Sequence, residues 1–112
     1  MMTAALKNEL ERLISDLVAG HYSALELDGR AGSIPAQALH EMIGEYGRTL
    51  VSIPEEGWGL IEEYPIGADS TEIGLDVPLW SAEEGRSDLT LLVTATRDGD
   101  DWKLQIDDLR VL

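Results

Sequence analysis

The chain has 112 residues, with 22 Asp and Glu against 8 Lys and Arg, a formal net charge of −14 and no cysteine. A chain of this length forms one domain, residues 1–112, which buries roughly 65% of the surface its unfolded form exposes and needs no cross-link or metal to fold. Disulfides, thiolate metal sites and cysteine nucleophiles are excluded, and so negative a field repels nucleic acid and anionic membranes while attracting a cationic partner.

Thr3 caps a first helix that runs to about Ala19. Leu6, Leu10, Leu13, Leu17 and Val18 recur at helical spacing and form one apolar stripe. Gly20 follows in the position where a left-handed residue ends a helix. Residues 21–32 read as a connection, pinned to the core by Tyr22, Leu25 and Leu27, with turns at Asp28-Gly29 and Gly32. Ser33 caps a second helix with Pro35 in its first turn, where the missing N–H costs nothing. Leu39, Met42, Ile43 and Tyr46 give its buried stripe, and Gly47 ends it.

A short extended segment follows over residues 49–54. Residues 55–59 read as a loop, Leu60 to Tyr64 has strand character, and Pro65 to Ser70 is a second loop. Ile73, Leu75, Val77 and Leu79 then alternate with Glu72, Gly74, Asp76 and Pro78, a period of two that predicts a strand. Pro78 lacks a ladder donor, so this strand lies at an edge or carries a bulge. Leu89, Leu91, Val93 and Ala95 alternate in the same way, Asp98-Gly99 signals a hairpin, and Trp102, Leu104 and Ile106 continue beyond it. The alternation slips at Asp107-Asp108 and resumes with the other parity at Leu109 and Val111, which predicts a bulge. Helices first and strands last make an α+β fold: two N-terminal helices packed on the concave face of a curved antiparallel sheet of about four strands.

No motif names a reaction. His21 follows a helix stop and His40 has no partner at metal-ligand spacing, so surface or capping roles fit them better than acid–base catalysis. A nucleophile elbow and phosphate-binding glycine patterns are missing. Asp98, Asp100, Asp101, Asp107 and Asp108 lack the spacing of a calcium loop. No catalytic residue, cofactor or metal is expected. The N-terminus is charged by Lys7 and has no long apolar run, so it does not read as a signal peptide. With no membrane-length apolar segment and no cysteine, the expected location is the cytoplasm.

The most distinctive segment is Trp80-Ser81-Ala82-Glu83-Glu84-Gly85-Arg86-Ser87-Asp88-Leu89-Thr90-Leu91. In it Arg86 can fork onto Asp88 or Glu83. Trp80 either packs under its own loop or is presented to a partner. Together with Glu45-Tyr46-Gly47-Arg48-Thr49-Leu50 and the closing Ile106-Asp107-Asp108-Leu109-Arg110-Val111-Leu112, this run resembles a family of small bacterial domains, over about Leu6 to Leu112. The order of elements also resembles the cone of nuclear-transport-factor-2-like or cystatin-like proteins. That fold hosts enzymes, ligand binders and immunity proteins of contact-dependent inhibition and other polymorphic toxin systems, so it does not choose among them.

Charge gives the choice its direction. Residues 1–54 carry four basic and seven acidic side chains, net −3, and residues 55–112 carry four and fifteen, net −11. An acidic surface can serve solubility alone. It can equally cover the basic surface of a cognate toxin domain, as an immunity protein does. The contact candidates are then Glu55, Glu56, Glu62, Glu63, Glu83, Glu84, Asp98, Asp100, Asp101, Asp107 and Asp108, with Trp58 and Trp80 as aromatic anchors. The alternative is a small-molecule or enzymatic pocket in the cone, lined by Tyr46, Trp58, Trp80 and Trp102 with His40 or an acid as its polar group. Dimerisation through the open sheet face is compatible with both, and Leu92 and Leu109 point to it.

Overall fold

A computed structural model describes residues 2–68 and 71–111. Helix α1 spans Ala4–Ala19. The Thr3 hydroxyl accepts the Leu6 N–H at 3.2 Å, and Gly20 closes the helix in the left-handed region at φ 77°. Leu6, Leu10, Leu13, Ile14 and Leu17 are buried, each stabilising the fold by about 2 kcal/mol. Val18, expected on the stripe, is 37% exposed; Ile14 takes its place. The stripe packs on the last strand of the sheet.

The segment read as a connection contains a short helix, α2 (Tyr22–Leu27). Leu25 anchors it, Tyr22 is half-buried, and Leu27 is 87% exposed and pins nothing. Six residues are too few to show a helical period, so α2 owes its stability to tertiary contacts. Arg30 supplies several of them. Its guanidinium bridges Asp16 on α1 and Asp28 after α2, both at 2.8 Å, while the His21 ring meets Asp16 at 3.1 Å.

Helix α3 is Ala36–Tyr46, with Pro35 rather than Ser33 at its N-cap. Proline has no side-chain acceptor, and the carboxylate of Glu26 from α2 takes the Ala36 N–H instead. Leu39 is buried, Met42, Ile43 and Tyr46 are partly buried, and Gly47 ends the helix at φ 74°.

The sheet is antiparallel, in the order β1 (Leu50–Val51), β3 (Glu72–Ser81), β4 (Gly85–Asp98), β5 (Asp101–Val111), with β2 (Glu62–Pro65) also paired to β3. A 3-10 helix, Glu55–Leu60, joins β1 to β2. The α+β reading therefore holds, with a curled sheet whose concave face is filled by α1. Leu75, Val77, Leu91, Val93, Ala95, Leu104 and Ile106 form that face. The slip at Asp107-Asp108 is a bulge: Leu92 pairs with Asp108, and Val93 already with Ile106. Its extra residue turns Leu109 inward, where it is buried, leaving only Leu92 of the two leucines on the outer face. A second register shift, between Pro78 and Trp80, bends the other end of the sheet. No described helix is long and apolar enough to cross a membrane.

Candidate functional site

Strand β3 is not an edge strand, yet Pro78 sits in it without a lost ladder bond to explain. Strands β1 and β2 share one side of β3 but do not meet. Pairing to β2 ends at Asp76, pairing to β1 begins at Trp80, and Pro78 lies in the gap between them. Opposite the gap, Thr90 pairs with Pro78 but Arg86 pairs with Trp80, so Ser87, Asp88 and Leu89 all face Leu79. Ser87 is buried and fills this irregularity. Its hydroxyl donates to the Leu79 carbonyl at 2.9 Å and accepts the Leu89 N–H at 3.2 Å.

Gap and bulge together leave a groove of about 260 Å³ on the outer face of the sheet. Leu60 and Glu62 form one wall, Asp76 and Pro78 the floor, and Arg86, Ser87, Asp88 and Thr90 the other wall. Glu62 and Asp76 are direct cross-strand partners, so two carboxylates face each other on one side of the sheet. Like charges in that position oppose pairing by about the 0.2–1 kcal/mol that opposite charges contribute. Among the described residues no cation lies within ion-pair distance of Glu62, Asp76 or Asp88. Arg86 lines the groove, and its guanidinium has no hydrogen bond, ion pair or ring contact with any described residue. The expected fork onto Asp88 or Glu83 is not made.

Tyr64 extends the acidic face. Its ring lies on Gly74, where any β-carbon would collide with it, and its hydroxyl donates to Asp76 at 3.0 Å. Partial burial first, then the Asp76 hydrogen bond and the nearby charges of Asp76 and Asp107, raise the phenol pKa above its ordinary value. Asp107, carried outward by the β5 bulge, accepts the Thr94 hydroxyl at 2.6 Å. Leu60 and Tyr64, 42% and 41% exposed, give this face apolar surface.

The other contact candidates are dispersed. Glu83 accepts both the N–H and the hydroxyl of Thr49, at 2.8 and 2.9 Å, and those bonds hold its carboxyl below the usual range. Glu84 accepts the hydroxyls of Tyr46 and Ser81, at 2.9 and 3.0 Å. Both acids thus tie the β3–β4 turn to the end of α3. Asp108 is bound by Arg110 at 2.6 Å, which lowers its pKa, and Asp98 lies 3.5 Å from Lys103. Asp98, Asp100 and Asp101 occupy the β4–β5 turn, at the opposite end of β4 from Arg86, roughly 40 Å of strand away. Glu63 follows Glu62 in β2 and is exposed; Glu55 and Glu56 begin the 3-10 helix, also exposed.

Neither tryptophan is a free anchor. Trp80 packs on Gly57 so closely that a β-carbon there would lie 2.7 Å from its Nε1, and that buried N–H has no hydrogen-bond partner among the described residues. Trp58 is half-buried, with the Lys7 ammonium 4.9 Å from its ring centre. The alternative pocket is not assembled either. Leucine, isoleucine and valine fill the concave face, and Trp58, Trp102, Tyr46 and His40 line four different surface grooves. Among the described residues no cluster of three or more His, Asp and Glu is placed to hold a metal ion.

Asp76, Asp88, Leu60 and Tyr64 were not among the sequence candidates. Asp76 reads as an ordinary polar position in an alternating strand, and its neighbour Glu62 is fourteen residues away in the chain. The available signals were the proline in an alternating strand and the distinctive run over residues 80–91, which supplies Arg86, Ser87, Asp88 and Thr90 to the groove.

Residues 14–112 match the family described as Domain of unknown function (DUF7668). The chain belongs to this family. The matched span begins inside α1 and takes in the whole sheet and every residue of the groove. No curated protein and no solved structure matches the chain.

Proposed function

We propose that this member of the family is a binding protein for a basic protein surface, and that its cognate partner is a bacterial toxin domain which it neutralises in the cytoplasm. The observation that carries the reading is the acidic groove, lined by three carboxylates against one guanidinium. Two carboxylates face each other across β2 and β3, and among the described residues neither is in an ion pair, although Arg86 lines the same groove, in a molecule of net charge −14. Repulsion kept in the free protein becomes attraction once a partner's cation arrives. The long-range field speeds encounter, toward ~10⁸ M⁻¹s⁻¹ at low salt, and loses that effect as salt screens it. Toxins that hold nucleic acid carry basic surfaces, which makes them fitting partners for an acidic cover. The immunity role itself is supported by the resemblance of the sequence, not by any residue of the groove.

Affinity capture from the source cell at low and high ionic strength tests this, followed by co-expression of chain and captured protein. The expected result is a basic partner whose association rate falls steeply with salt and whose toxicity the chain relieves. A captured partner without a basic surface, or one that associates at the same rate in high salt, overturns it.

A further inference from the structure

The reading as a binding protein leaves open where the partner sits, and the outer-face groove supplies an answer. We infer that the groove between β2 and the β3–β4 bulge is the docking point for a single arginine or lysine side chain of the partner, presented on an extended segment. Its charged end takes the place between Glu62 and Asp76. Its methylene stem, and an apolar neighbour, settle on Leu60 and Pro78.

Charge complementarity selects this occupant. Glu62 and Asp76 are opposed across the strands and held there by ladder pairing, so their carboxylates need not be gathered on binding. Asp76 is further fixed by the Tyr64 hydroxyl at 3.0 Å, which leaves its remaining acceptor positions for a second donor. A second copy of the chain is the poorer occupant, because it brings its own net charge of −14. Arg86 has a distinct part. It lines the same groove with its guanidinium unpaired, so it acts as the resident cation that an incoming one must displace toward solvent.

The inference rests on the binding reading above, and its test separates the two. The probe is a blocked peptide, acetyl-Leu-Arg-Ala-amide, titrated into the ¹⁵N-labelled full chain at low salt, with the glutamine analogue as control. Glu62→Gln with Asp76→Asn removes two charges from the groove, and Asp100→Asn with Asp101→Asn removes two from the far hairpin. The expected result is saturable shifts at Glu62, Asp76 and Arg86 with the arginine peptide alone. The groove double variant should lose affinity about tenfold, as charge-assisted hydrogen bonds are lost, and the hairpin variant less than about twofold. Arg86→Gln should tighten binding, and more than Lys103→Gln at the far end of the sheet does. Glu62→Gln alone, which leaves the Tyr64–Asp76 hydrogen bond in place, should melt no lower than the parent because it relieves a repulsion; a lower melting temperature for it overturns the premise. Equal losses from both double variants, or dimerisation of the chain through this face, overturn the groove and leave the acidic-surface reading standing. No binding of the basic peptide by the parent chain overturns the groove as a docking point, while the acidic-surface reading stands or falls on the capture experiment.

Discussion

The hydroxyl of Ser87 is a small group with a large assigned task, which makes Ser87→Ala a sharp perturbation. It removes the donor that satisfies the Leu79 carbonyl and the acceptor that takes the Leu89 N–H, at a position 4% exposed. Each main-chain group so deprived costs about 1–3 kcal/mol. Ser87 lines the groove, so water can reach part of the vacancy and hold the loss near the lower end. The expected destabilisation is about 2 kcal/mol, and with it a fall in melting temperature of about 8 °C or more for a domain of this size. Urea unfolding followed by tryptophan fluorescence measures it. The midpoint should drop while the denaturant slope stays constant, because the exposed surface is unchanged. Ser23→Ala, at an exposed serine of α2, is the control and should stay within about 0.5 kcal/mol of the parent. A Ser87→Ala loss as small as the control's would refute the account of the bulge as a built feature held by this side chain.

Two further outcomes follow from close contacts and charge. Gly57→Ala should destabilise by about 1–3 kcal/mol, because its β-carbon would meet both Ile53 and the Trp80 indole at 2.7 Å; an unchanged unfolding midpoint would show that the 3-10 helix lifts away freely. The raised pKa of Tyr64 contributes stability that is complete below the unfolded tyrosine pKa of about 10 and is lost as pH rises through the folded value. Asp76→Asn should therefore lower the Tyr64 pKa toward, but not to, the ordinary value, since burial remains, and should shrink the alkaline loss of stability. Following the Tyr64 ring signals by NMR against pH checks this, and an unshifted titration would mean that Asp76 does not act on the phenol.

Local pattern in the chain announces α1, α3 and the strands β3 to β5, because each repeats its apolar residues at the period of its own backbone over ten or more residues. The β5 bulge is legible for the same reason: one extra residue reverses the parity, and Leu109 and Val111 record the reversal. The short elements show no such period: β1 falls within the extended segment over residues 49–54 and β2 near the strand read at Leu60 to Tyr64, but their pairing is not legible, and α2 lies in what reads as a connection. Helix α2 and strands β1 and β2 are two to six residues long, too few to display a period, and partners remote in sequence hold them in place.

The sequence by itself therefore determined the α+β class, the buried faces and the sign of the surface, since these depend on periodicity and composition. Only the tertiary structure decided which of many carboxylates matter. Pairing register put Glu62 opposite Asp76, and packing set Trp80, half-buried, against Gly57. Turn geometry committed Glu83 and Glu84 to the fold's own hydroxyls and main chain. An acidic residue looks alike in sequence whether it is bound or free; what surrounds it is set by segments that meet only when the chain folds.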